Sequence, residues 1–208
     1  MRPALCEDAL RLARILAELA PRESEVHGLV ALLEIQASRS KARVGPSGEP
    51  VLLFDQNRAL WDRLLINRGL TALARAEQFG ARGPYAVQAA IAACHARALT
   101  PAETDWQRIT ELYAELARLM PSPVVELNRA VAHGMAFGPA AGLAIVDGLA
   151  AEPSLQNYHL MPSVRGDLLA KLGRHGEARA EFERAASLTR NSRERDLLLE
   201  RAAACARD

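Results

Sequence analysis

Residues His159 to Asn191 read HLMPSVRGDLLAKLGRHGEARAEFERAASLTRN, and this stretch decides the fold. Two apolar-periodic runs flank a tight turn, Gly173-Arg-His-Gly176. Gly166, Ala178 and Ala185 are small residues at the points where two paired helices would cross. Leu169 and Phe182 are large, and would fill the space between neighbouring pairs. A Gly with a large residue three places on, followed by Ala-x-x-x-Phe, is the spacing of a repeated helix–turn–helix unit. The stretch therefore predicts a helix pair, Tyr158–Leu172 and Glu177–Leu188.

Outward from there the same unit recurs in weaker form. Ser122 to Pro153 keeps Ala132, Ala141, Ile145 and the closing Pro153. It predicts helices over 124–136 and 140–151, turned by Gly138-Pro139. A final helix over 192–207 would cap the stack. The pairs recur at about 34 to 40 residues, the period of tetratricopeptide-type solenoids. Towards the N-terminus the pattern is less regular. Leu12, Ile15, Leu16 and Leu19 repeat at helical spacing within 7–19, and Pro21 ends that run. A second helix is expected over 24–39. Gly45-Pro-Ser-Gly48 between two short apolar runs predicts a hairpin-like insertion near 42–54. Asp55 is the expected N-cap of a long helix over 56–79. Helices over 85–98 and from about Asp105 to Met120 complete this part. The expected fold class is all-α: tetratricopeptide-like antiparallel helix pairs, an α-solenoid or bundle, with one short hairpin-like loop. It is read as one domain over 1–208, less regular over 1–120, repeat-like over about 122–191, and capped at its end.

Composition supports helices and excludes several functional classes. Half the residues are hydrophobic and only 4% are aromatic, so a sandwich, a barrel or a disordered chain is disfavoured. Lys and Arg number 26 against 25 Asp and Glu, a net charge of +1 that makes no case for nucleic-acid or anionic-membrane binding. Cys6, Cys94 and Cys205 are odd in number and form no CxxC, which fits a reducing cytoplasm. Charges at Glu7, Asp8, Arg11 and Arg14 interrupt any signal-peptide core, and no run is long enough to span a membrane. The five histidines stand in no HExxH or other recognised ligand spacing, and neither GxSxG nor a Walker sequence occurs. Cys94 and His95 are adjacent and so face different sides of a helix. No catalytic, metal or cofactor role is expected, and the chain is not read as an enzyme.

Four clusters stand out, one of them the polar-aromatic step Tyr158-His159, which is read as packing. Asp55-Gln56-Asn-Arg58-Ala-Leu-Trp61-Asp62 would place Arg58 and Asp62 as an i, i+4 pair beside Trp61. Trp61 either anchors the preceding loop or belongs to a binding patch. Asp105-Trp106 is open to the same two readings. Asn128-Arg129 sits mid-helix, where Asn needs a reason. It either hydrogen-bonds within the repeats or clamps a bound peptide.

Taken in order, ALLEIQASRSKAR, VLLFDQNRALWDRLLI, GPYAVQAAIAACHA, TDWQRITELYAELARLMPSPVVELNRAVA and YHLMPSVRGDLLAKLGRHGEARAEFERA cover most of the chain. Together they resemble the long carboxy-terminal extension of a group of bacterial extracytoplasmic-function (ECF) RNA polymerase sigma factors. In that family, sigma regions 2 and 4 precede the extension and bind polymerase and promoter. Neither is found in these 208 residues, so no promoter binding carries over. The resemblance implies tetratricopeptide-like repeats that regulate the sigma factor through protein contacts. Partners would be its own sigma regions, RNA polymerase or a regulatory protein. It marks Asp55, Gln56, Arg58, Trp61, Asp62, Asp105, Trp106, Asn128 and Arg129 as matching the family's characteristic segments. Two other functions stay open. One is a stand-alone peptide-binding adaptor with Asn128 and Arg129 in its groove. The other is a small-molecule sensor built near Arg58, Trp61 and Trp106.

Overall fold

The computed structural model describes residues 3–80 and 83–206. Among them are ten α-helices and no strand beyond one isolated bridge. The chain is all-α, as expected. It divides into two compact units, Met1–Met120 and Pro121–Asp208.

The first unit holds α1 (Pro3–Leu19), α2 (Ser24–Ser38), α3 (Arg63–Gln78), α4 (Pro84–Arg97) and α5 (Trp106–Leu119). Helix α2 is its spine, packing on α1, α3 and α4, while α4 also carries α5. The approach of α2 to α4 is set by Gly28. A Cβ there would lie 2.6 Å from the backbone N of Ala86. Glu25 of α2 accepts hydrogen bonds from the Tyr85 and Ala86 amides at 2.9 and 3.0 Å. One helix thus satisfies the orphan donors that open another. The core comprises Ala31, Ile35, Trp61, Ile66, Leu73 and a run of alanines from α4.

The second unit holds α6 (Pro123–Phe137), α7 (Pro139–Gly148), α8 (Leu160–Lys171), α9 (His175–Leu188) and α10 (Ser192–Ala204). Each helix packs on the next in sequence. Small residues set the crossings as the opening stretch predicts. A Cβ on Gly166 would meet the Phe182 ring at 2.9 Å, and Phe182, Ala178 and Ala185 are all buried. A Cβ on Gly142 would meet the Ala130 carbonyl at 2.7 Å and Gly134 Cα at 2.9 Å. Leu127, Val146, Leu155, Met161 and Leu169 complete a core separate from that of the first unit.

The hairpin-like insertion is present as a minimal turn. Val44 and Pro50 form the isolated antiparallel bridge. The Val51 amide donates to Arg43 O at 3.0 Å and the Gly45 amide to Glu49 O at 2.9 Å. Gly48 takes φ 82° at the turn, a region an L side chain rarely enters.

One expectation needs correction. The long helix over 56–79 does not begin at Gln56. Residues 55–57 are turn and loop, Arg58–Leu60 is one 3-10 turn, and α3 starts at Arg63. Asp62, not Asp55, is the N-cap: its Oδ1 accepts from the Leu64 and Leu65 amides at 2.9 and 3.1 Å. The physical reason is tertiary: Arg58 is drawn onto the carbonyls of His95 and Ala98 and Asp62 onto the first amides of α3, so the chain turns between them instead of running on as one helix. The apolar repeat of the first helix lies on α1. Leu12, Ile15, Leu16 and Leu19 face outward, and Leu10 and Ala13 make the core contact. The expected last helix also extends to residue 207, which lies outside the described residues.

Candidate functional site

Four of the residues singled out by sequence meet in one buried cluster of the first unit. Arg58 is 6% exposed and Trp61 3%. The Arg58 guanidinium donates from Nη1 to the carbonyls of His95 and Ala98 at 2.9 and 2.8 Å, and from Nη2 to Thr104 Oγ1 at 2.9 Å. These carbonyls are the free end of α4, where a cation also meets the negative end of the helix dipole. The expected Arg58–Asp62 pair does not form, because Arg58 is spent on α4 and Asp62 on capping α3. The face of Trp61 lies 5.2 Å from Arg58 Cζ and 5.2 Å from Arg39 Cζ. Arg39 donates to Gln56 Oε1 at 3.2 Å, and Gln56 donates to Val51 O at 3.1 Å, tying the hairpin in. Trp106 stacks on Phe54 at 5.4 Å and meets the edge of His95 at 5.1 Å. Asp105 caps α5 by accepting from the Arg108 amide at 2.9 Å.

The electrostatics follow from burial. His95 is pushed down to about 4 by desolvation, with the Arg39 and Arg58 cations adding to the effect. Its imidazole is therefore neutral at pH 7. Burial likewise lowers Arg39, to about 10, with Arg43 and Arg58 contributing repulsion. Arg58 is lowered by burial, against a compensating pull from Glu103. Trp61 Nε1, Arg58 Nε and His95 Nδ1 are buried with no hydrogen-bond partner among the described residues. The cluster joins the hairpin, the turn before α3, the end of α4 and the start of α5.

Sequence inspection missed Arg39, Phe54, His95 and Thr104 as members of this cluster. No local pattern marks them, since the contacts to Arg58 span 37 to 46 residues of chain. Asp55 is exposed and outside the cluster. Asn128 and Arg129 belong to the second unit. Asn128 is exposed on α6, and Arg129 is held by Glu126 one turn back at 2.9 and 2.7 Å. That intrahelical pair accounts for Arg129. Nothing in the structure accounts for Asn128.

Elsewhere in the first unit, two clefts of about 590 and 560 Å³ share Arg14 and Arg68, where α1 and α3 flank α2. Glu34, 2% exposed, lies under α1 and accepts from Arg14 Nε at 2.8 Å. Among the described residues no group of three or more His, Cys, Asp or Glu is placed to hold a metal. No helix among them is long and apolar enough to cross a membrane.

Comparison with known proteins places this chain among relatives of undefined function. Residues 1–77 match the model of a family of unknown function, DUF6596. The chain is 49% identical over 190 residues to the uncharacterized protein R00370 of Rhizobium meliloti (strain 1021). That alignment takes 91% of this chain and 44% of the relative, so the chain spans less than half the length of the curated relative it matches. No solved structure matches it.

Proposed function

We propose that this chain is the regulatory protein-interaction extension of a bacterial ECF sigma factor, modulating transcription initiation in the cytoplasm by protein contact. The observation that carries the reading is the long relative. Identity of 49% runs through nearly all of this chain yet occupies under half of that protein. Such an alignment is what a regulatory extension attached to further domains would give. The resemblance of the DQNRALWD, TDW and PSPVVELNRAVA segments supplies the family. Paired helices supply a means of contact, since stacked pairs present extended faces to other proteins. In this reading Gln56, Arg58, Trp61, Asp62, Asp105 and Trp106 serve folding. Exposed Asp55 and Asn128 are the motif residues left for contact.

The test is transcription in vitro. Full-length R00370 is combined with core RNA polymerase, with and without the stretch that matches this chain. Promoter-directed initiation that changes when the stretch is deleted supports the reading. Absence of any initiation with the full-length protein sinks it. A stand-alone adaptor would then lead, with an extended peptide as ligand.

A further inference from the structure

The outward face of α1 carries a pattern its own fold does not use. Leu5, Ala9, Leu12, Leu16 and Leu19 follow one another at intervals of four, three, four and three residues. All five are exposed, Leu12 by 59% and Leu19 by 78%. The 4-3 interval is the seam by which one helix receives the knobs of another. It runs over about 21 Å of helix. The core contact of α1 is a different stripe, containing Leu10 and Ala13. One helix therefore has two apolar faces and covers only one within the described chain.

We propose that this seam docks an amphipathic helix carried on the same polypeptide, outside these 208 residues. The inference rests on the sigma-extension reading for the identity of that polypeptide. The seam itself selects the occupant's form: a 4-3 stripe fits a helix and not an extended strand. A membrane surface is a poor match. Asp8, the acidic group beside the seam, is paired with Arg11 at 3.5 Å, and Arg14 is spent on Glu34. No cationic face is left for anionic lipid. A second copy of the chain fits less well than a tethered helix. Two heptads make a weak bimolecular contact, whereas a tether supplies an effective concentration of about millimolar. More than half of the matched relative lies outside the alignment and is available to supply that helix.

Amide hydrogen exchange tests this on two proteins as they exist: this chain, and full-length R00370. In this chain the amides of α1 are expected to exchange early. In the longer protein the helix aligned with α1 is expected to exchange at least ~10-fold more slowly, independent of protein concentration. Leu12→Asp with Leu16→Asp, made at the aligned positions, should abolish that slowing and leave the helix aligned with α9 unchanged. In this chain the same two substitutions should leave helix content and melting intact, because both side chains are exposed. Equal exchange of α1 in both proteins overturns the proposal. Protection that vanishes on dilution also overturns it, in favour of a second copy. Failure of the sigma reading is seen separately. Initiation by R00370 with an unprotected helix removes the seam alone, and protection without initiation removes the sigma reading alone.

Discussion

Arg58 shows how far a single side chain can depart from its local context. On a helix it would pair with Asp62, a surface contact worth under about 0.5 kcal/mol. In the fold it holds two carbonyls at the end of α4 and the Thr104 hydroxyl. Arg58→Met leaves those acceptors buried and unpaired, and is expected to cost about 3 kcal/mol in denaturant unfolding. Asp62→Ala removes the cap of α3 and should cost about 1 kcal/mol, while Asp55→Ala should stay within about 0.5 kcal/mol. Equal effects at Asp55 and Asp62 would contradict the placement of the cap. His95 adds a pH dependence. Its folded value, about 4, lies below the ordinary 6.5, so the unfolded chain binds the extra proton between them. Its contribution to stability is therefore intact above pH 6.5 and declines as pH falls towards 4, by at most ~1.4 kcal/mol per unit. Unfolding of wild type and of His95→Gln across pH 4–7 reads this directly: the variant should lose that part of the slope.

At the scale of elements, close crossings decide which helices pair. Gly142→Ala would drive a Cβ into the backbone of α6, where no side chain can move aside. It should destabilise by about 1–3 kcal/mol. Gly148, in the same helix, has nothing within 4 Å of its Cβ position. Gly148→Ala is expected to be neutral or to stabilise by up to ~1 kcal/mol. Thermal melts of the two variants that moved together would remove the crossing argument. The helices of the second unit were legible for this reason: the small residues of each crossing lie within one or two turns of a predictable position. α3 was not. The apolar spacing from Trp61 onward is helical, but nothing local says that residues 55–62 must turn back towards α4. The apolar stripe of α1 was legible as a stripe, and only packing showed which side of α1 is buried.

For the whole molecule, two separate cores lie on either side of Met120. The second is built from five consecutive helices with short connections, and at 88 residues such a unit is large enough to bury its own core. The fragment Pro121–Asp208 is thus expected to melt cooperatively by circular dichroism. A gradual, featureless melt would show that its core needs the rest of the chain.

By itself the sequence determined the class and most of the helix boundaries. Helix periodicity, N-caps and Gly-Pro turns act over a few residues, and their physics is complete within that span. It also determined which segments would be unusual. What those segments do was decided only in three dimensions. The Arg58 guanidinium finds carbonyls 37 and 40 residues away. Arg39 and Arg58 both come to lie over the Trp61 ring, and the neutral state of His95 exists because other elements exclude water from it. Burial and long-range hydrogen bonding are properties of the packed chain, and no local spacing encodes them.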